Sequence, residues 1–280
     1  MQYMSQVSSM APAFLIKPFL DMASSIWAMP EEKWINDAAI KDDIDFLYKE
    51  AESGSIIDKV NFRKQVINMW KEKKVELKVC ELPGRTRVVF LGTEDQWQRI
   101  PWSLWSRIFQ AFDFPVGRIL FYAHPSERFF NSSNTPLSSE NINGGYTNIC
   151  SKERIVIYRY EEATRVLLHE LLHSACFDEE KAVEDLEAHT EAWTEILLCA
   201  ILSKGQGGTF NRLWKQQCRW IYHQCNELRQ SVNGPQDYAW RYITGKRDVL
   251  KRLGLLEDCR EPLDSHVMLS PRFTTPEWPI

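Results

Sequence analysis

The residues with the clearest capacity for chemistry are His169, Glu170 and His173, which form the pattern H-E-x-x-H within the apolar run 166–177. On an α-helix, side chains four residues apart stand on one face, so both imidazoles can bind the same tetrahedral ion. Glu170 then lies beside that ion and can take a proton from a water molecule that the ion activates. The pattern predicts a hydrolytic zinc site. The alternative is a helix whose histidines only pack or hydrogen-bond within a core.

A catalytic zinc ion usually has three protein ligands and one water molecule, so a third ligand is expected. Four glutamates follow the motif at steps of three, four and four residues, which places them on one stripe of a second helix: Glu184, Glu187, Glu191 and Glu195. A charged stripe ordinarily faces solvent. At least one of these carboxylates must therefore turn inward if the zinc interpretation holds.

The elements before the motif favour strands. Residues 155–158 form a short β-rich run, and residues 144–150 can form another strand entered through the Gly144-Gly145 turn. We expect a peptide substrate to lie extended along the edge formed by residues 145–149, because an added strand presents backbone groups without demanding one sequence. The polar stretch 129–143 has no periodicity and predicts a loop, with a lid over the cleft as a functional alternative.

The segment Thr190-Glu191-Ala192-Trp193-Thr194-Glu195 follows the H-E-x-x-H motif, and together they resemble the zincin metallopeptidases, specifically the gluzincins. The thermolysin-type second motif is Asn-Glu-x-x-Ser-Asp. This chain differs from it in having Thr190 for Asn, Thr194 for Ser and Glu195 for Asp. The resemblance spans residues 144–202 and implies that Glu191 is the third ligand. It also implies that Glu195 hydrogen-bonds a zinc-binding histidine. Because the spacing is slightly short, Glu195 and Glu187 stay open as the ligand.

The resemblance implies an α+β, zincin-like fold, in which a small mixed sheet precedes the motif helix and the glutamate helix. It implies a zinc-dependent peptidase with Glu170 as general base. Zincins of this type commonly take a transition-state donor from a later helix, and His223 is preferred here because histidine is scarce. The other candidates for this donor are Tyr222, Tyr238, Arg241 and Tyr242.

Two other functions remain open for a chain with this pattern. One is a zincin-fold scaffold whose metal site is silent or structural, although a structural site does not need Glu170 as a base. The other is a zinc hydrolase that acts on an amide other than a peptide bond, because the same chemistry serves both substrates.

Composition sets the domain plan. Residues 1–29 predict a flexible or docking arm, residues 30–256 a single zincin-like domain, and residues 257–280 a Pro-rich tail. Within the domain we expect a helical cap over 30–74, the sheet over 75–160, and helices with the zinc site over 161–256. The arm or the tail could recruit a protein partner. No apolar run approaches eighteen residues, so no membrane span is expected.

Charge and cysteine content narrow the partners and the location. The chain has 34 basic and 38 acidic residues and no basic block, so we expect a peptide or protein substrate and no nucleic acid. Its seven cysteines are odd in number and contain no C-x-x-C pair, which predicts free, mostly buried thiols. Together with the absence of a secretory pattern in residues 1–30, this favours an intracellular, most simply cytoplasmic, protein.

Overall fold

The structure is a computed structural model, and it describes residues 4–54, 57–130, 137–177, 183–229, 237–256 and 261–278. The side chains of 4–13, 183 and 184 are outside this description. The described residues group into two compact units. The helical unit takes its residues from 1–30, 129–138 and 180–279, and the sheet unit takes its residues from 31–128 and 139–179. The single domain expected over 30–256 extends over both units.

The sheet unit is built on a mixed sheet of six strands in the order β1-β2-β3-β4-β6-β5. Its parallel pairs are β3–β4 and β4–β6, and its other neighbours are antiparallel. Strands β3 and β4 are buried along nearly their whole length, which explains their continuous apolar sequences. The strands are β1 (Ile35–Asp37), β2 (Glu76–Leu82), β3 (Thr86–Gly92), β4 (Arg118–Tyr122), β5 (Gly145–Thr147) and β6 (Arg154–Ile157).

Six helices accompany this sheet among the described residues: α2 (Lys41–Glu52), α3 (Phe62–Lys71), α4 (Glu94–Gln98), α5 (Trp102–Phe112), α6 (Ser139–Ile142) and α7 (Ala163–Ser174). Helices α2 and α3 share a core with the sheet that includes Leu47, Val66 and Val89. The Tyr122 hydroxyl donates a 2.7 Å hydrogen bond to the carbonyl of Leu47, which ties β4 to α2.

The expected helical cap over 30–74 needs one correction. Ile35–Asp37, within the range expected to be helical, forms strand β1. All three residues of β1 are exposed. Their conformation therefore follows from backbone pairing with β2 at the sheet edge and not from burial of apolar side chains.

The helical unit contains α1 (Met4–Ala28), α8 (Val183–Leu202), α9 (Gly207–Leu228), a π-helical segment (Trp240–Gly245) and α10 (Lys246–Arg252). Helix α1 packs against α8, with the rings of Phe19 and Trp193 5.5 Å apart. The Trp27 indole donates a 2.8 Å hydrogen bond to the carbonyl of Ile201. The segment expected to be a flexible or docking arm is therefore largely a packed helix, in which Ile16, Ala23 and Ile26 are buried.

The described part of the tail, 261–278, contains neither helix nor strand, as expected from its prolines. It nevertheless packs on α9, where Trp220 donates to the carbonyl of Arg272 at 2.8 Å and Gln217 to that of Phe273 at 2.6 Å. Within the expected loop 129–143, residues 139–142 form α6, while residues 131–136 of the suggested lid lie outside the described residues.

The architecture is thus α+β with a six-stranded mixed sheet, which confirms the fold class at that level. None of the described helices is both long enough and apolar enough to cross a membrane.

Candidate metal centre

The H-E-x-x-H motif lies on α7, and all twelve residues of this helix are buried. His169, Glu170 and His173 are 7, 5 and 6 % exposed. Histidine and glutamate side chains are seldom this buried unless other groups satisfy their polar atoms. Their position therefore indicates a built polar site inside the sheet unit and excludes a solvated helix face.

The two imidazoles point at each other. Their Nε2 atoms are 2.9 Å apart, and the ring centroids are 4.6 Å apart with the planes at 79°. Two nitrogen ligands of tetrahedral zinc, with bonds of about 2.0–2.1 Å, are separated by roughly 3.3 Å. The rings would have to part by only about 0.4 Å to share such an ion. The donor pair therefore fits a transition metal.

Two features of the sheet unit place the first half of α7. The indole of Trp105 on α5 donates a 2.9 Å hydrogen bond to the hydroxyl of Thr164 in the first turn. Further along, Val166 packs on the edge strand β5, where a Cβ added to Gly145 would lie 2.5 Å from Val166 Cγ1 and 2.6 Å from the carbonyl oxygen of Val156. Gly145 therefore allows the helix to approach the sheet closely.

A disulfide holds the end of α7. Cys150 and Cys176 are bonded with their Cα atoms 4.6 Å apart. Both backbone amides donate to the carbonyl of His173, at 2.9 Å from Cys150 and 3.1 Å from Cys176. The prediction of free thiols is wrong for this pair, because the fold brings together two cysteines that are 26 residues apart in the sequence.

The other described cysteines, Cys80, Cys199, Cys218 and Cys225, are free and buried, as predicted. Burial raises the pKa of Cys80 to about 12 and that of Cys225 to about 11. Such thiols stay protonated and unreactive at neutral pH. Cys259 lies outside the described residues.

In the helical unit, the described glutamates of the stripe lie along α8 and turn inward. Glu191 and Glu195 are 1 and 0 % exposed, and Glu187 is partly buried. Glu195 Oε1 is 2.9 Å from Lys246 Nζ, and both side chains are fully buried. The sequence gives no sign of this ion pair, because Lys246 is 51 residues from Glu195. The side chain of Glu184 lies outside the description.

The candidate donors on the later helices differ in their surroundings. Burial, followed by the charges of Glu187 and Glu191, raises the pKa of the Tyr242 phenol, which therefore keeps its proton. Its oxygen is 3.5 Å from that of Tyr238. His223, the preferred candidate from the sequence, is partly buried on α9 and has its Nε2 2.8 Å from the carbonyl of Glu261.

The sequence-predicted site residues thus fall into two groups. His169, Glu170 and His173 lie together on α7 of the sheet unit. Glu191, Glu195 and His223 belong to the helical unit, on α8 and α9. The roles assigned to Glu191, Glu195 and His223 stay predictions.

Comparisons of the chain with protein-family models, with curated proteins and with solved structures find no match.

Proposed function

We propose that the protein is a zinc-dependent metallopeptidase whose ion is held by His169, His173 and one glutamate of α8. The observation that carries this proposal is the convergence of two imidazole nitrogens on a buried helix that also presents Glu170. A structural zinc site needs no general base, so the presence of Glu170 favours hydrolysis over a scaffolding role.

Glu187 is our first choice for the third ligand, and Glu191 is the alternative that the gluzincin resemblance implies. His169, His173 and Glu187 each offer one atom of a kind that zinc binds. Glu195 suits the role less well, because Lys246 already neutralises its charge. Glu187 is only partly buried, which suits a catalytic ion that must keep one position accessible to substrate.

Each side chain of the proposed site then has one role in hydrolysis. A bound zinc ion would polarise the scissile carbonyl and lower the pKa of the attacking water. Glu170 accepts the proton of that water and passes it to the departing amine. In this proposal the donor to the developing oxyanion comes from a later helix, with His223 as the first candidate and Tyr242 among the alternatives.

The substrate in this proposal is a peptide or an extended protein segment that adds to β5. This strand ends the sheet order, and in the described part of the chain it pairs only with β6. N-methylation of alternate backbone amides in a peptide substrate tests the idea. Methylation at the pairing positions is expected to slow cleavage, whereas equal effects at every position would argue against strand addition.

Assays on Glu170→Gln and His173→Ala test the proposed activity. We expect wild type to degrade an unfolded protein substrate and to contain zinc. Glu170→Gln is expected to keep its zinc and to lose at least about a hundredfold in turnover, since it removes only the general base. His173→Ala is expected to lose both. Zinc without turnover in wild type would shift the function towards a scaffold or a non-peptide amide.

Matched glutamine variants of α8 identify the third ligand. Glu187→Gln is expected to lower zinc affinity more than Glu191→Gln or Glu195→Gln does. Glu72→Gln serves as the control, because its side chain is 57 % exposed. A loss confined to Glu191→Gln would instead support the assignment implied by the gluzincin motif.

An intracellular location is part of the proposal, and thiol counting tests it. A chain kept in a reducing compartment presents all seven cysteines to an alkylating reagent after rapid denaturation. A chain from an oxidising compartment presents at most five, because Cys150 and Cys176 are bonded. Seven thiols in protein quenched directly from its cells of origin would support the intracellular location, and five would contradict it.

A further inference from the structure

We propose that the Cys150–Cys176 disulfide is a positioning element for His173, and that its reduction by a dithiol weakens zinc binding by the two histidines. The inference rests on the proposed metal site. In the reaction, a dithiol transfers two electrons and two protons to the disulfide. The S–S bond breaks, two cysteine thiols form, and the reagent becomes a disulfide.

The contacts of the His173 backbone support this role. His173 lies in the last turn of α7, which ends at Ser174, and carbonyls of a last helical turn have no intrahelical partner. The amides of Cys176 and Cys150 both donate to the His173 carbonyl. The Cys150 amide comes from the segment after β5, so the disulfide connects two separate parts of the chain at this one carbonyl.

A hydroxyl pair also connects β5 to the end of α7. The hydroxyl oxygens of Thr147 on β5 and Ser174 on α7 are 3.2 Å apart. The segment after β5 and the end of α7 are therefore joined by the disulfide and by the Cys150 amide that donates to the His173 carbonyl, and β5 itself is joined to α7 by the Thr147–Ser174 hydroxyl pair.

The backbone of both cysteines is strained. Each has a φ of 59°, in the left-handed region that side chains other than glycine adopt only at a cost. Such conformations persist where the surrounding structure fixes them. Reduction removes the bond that fixes both residues, so we expect the turn that carries the His173 carbonyl to relax.

The disulfide is also accessible to a reductant. Cys150 is exposed and Cys176 is partly buried, whereas Cys80, Cys199, Cys218 and Cys225 are buried. Exposed disulfides are typically the labile ones in proteins. A small dithiol can therefore act on this pair without unfolding the core.

The zinc dissociation constant, measured by competition with a chromophoric chelator, tests the proposal. Oxidised wild type is compared with wild type reduced and then freed of reductant under nitrogen, and with Cys150→Ser/Cys176→Ser. The double variant matters because free thiols could themselves bind zinc. We expect the reduced wild type and the double variant to bind zinc about tenfold more weakly or worse, as when a group that orients a metal ligand is lost. Cys80→Ser is the control and is expected to bind like wild type.

The visible spectrum of the cobalt-substituted protein provides a readout of ligand geometry. We expect its d–d bands to shift on reduction and to return on reoxidation. Equal zinc affinity in the oxidised, reduced and double-variant proteins would overturn the positioning role and leave the proposed function intact. Loss without recovery on reoxidation would indicate general unfolding and also overturn it. No zinc binding by oxidised wild type would refute the metal site itself.

Discussion

The buried ion pair between Lys246 and Glu195 supports a quantitative prediction about the helical unit. Both side chains are fully buried and their charged atoms are 2.9 Å apart. Removing one partner of such a pair typically costs about 3–5 kcal/mol, because the remaining charge stays in a low-dielectric interior. Methionine has nearly the length of lysine and carries no charge. We expect Lys246→Met to lower the free energy of unfolding by about 4 kcal/mol.

Urea denaturation of a double-mutant cycle measures the effect. Glu195→Gln is expected to cost a similar amount, whereas Glu195→Gln/Lys246→Met should recover most of the loss, because neither charge then remains. The control is Lys17→Met on α1, whose Lys17–Asp21 pair is 70 and 63 % exposed. This control should change stability by less than about 1 kcal/mol. A cost below about 1 kcal/mol for Lys246→Met, or additive losses in the double variant, would refute the reasoning.

Three further predictions concern the stability of the sheet unit. Gly145→Ala is expected to lower the free energy of unfolding by about 1–3 kcal/mol, because the added Cβ meets α7 and a backbone carbonyl. Gly208→Ala on α9 has open space around the added Cβ and should leave this free energy unchanged or raise it. Chemical denaturation of both variants compares the two effects. Burial and the charge of Arg159 lower the pKa of His124 to about 4 in the folded protein. Below the ordinary pKa of histidine, His124 therefore binds a proton more readily in the unfolded chain than in the folded one. Stability should therefore fall between about pH 6.5 and 4, by at most about 3 kcal/mol, and His124→Gln should flatten that slope in pH-dependent melts. The Cys150–Cys176 disulfide closes a loop between residues 26 apart in the sequence, so its reduction should lower the free energy of unfolding by roughly 3.5 kcal/mol. An unchanged midpoint of denaturant unfolding after reduction would contradict this prediction.

Much of the fold around the motif could be predicted from local patterns. In the sequence, polar and apolar residues alternate over 75–79, where β2 begins, and the strand-like runs 87–91 and 118–122 lie within β3 and β4. The H-E-x-x-H segment forms a buried helix, α7, for which its apolar flanks are sufficient reason. These elements are predictable because their periodicity and burial agree along a short stretch of chain.

Features that depend on distant pairing could not be predicted. β1 exists because its backbone pairs with β2 about forty residues later, and its side chains are exposed. The Cys150–Cys176 bond and the Lys246–Glu195 pair likewise join residues that no local pattern connects. Glu191 and Glu195 are both buried, although charged stripes on helices usually face solvent. The metal hypothesis required at least one inward glutamate but could not say which.

The most direct test of the account is X-ray absorption at the zinc edge of the purified, zinc-loaded protein. The account predicts about one zinc per chain, imidazole scattering from His169 and His173, nitrogen or oxygen ligands at about 2.0–2.1 Å, and loss of this signal in His169→Ala. Sulfur ligands at about 2.3 Å, or a wild-type chain that retains no zinc, would contradict the central claim.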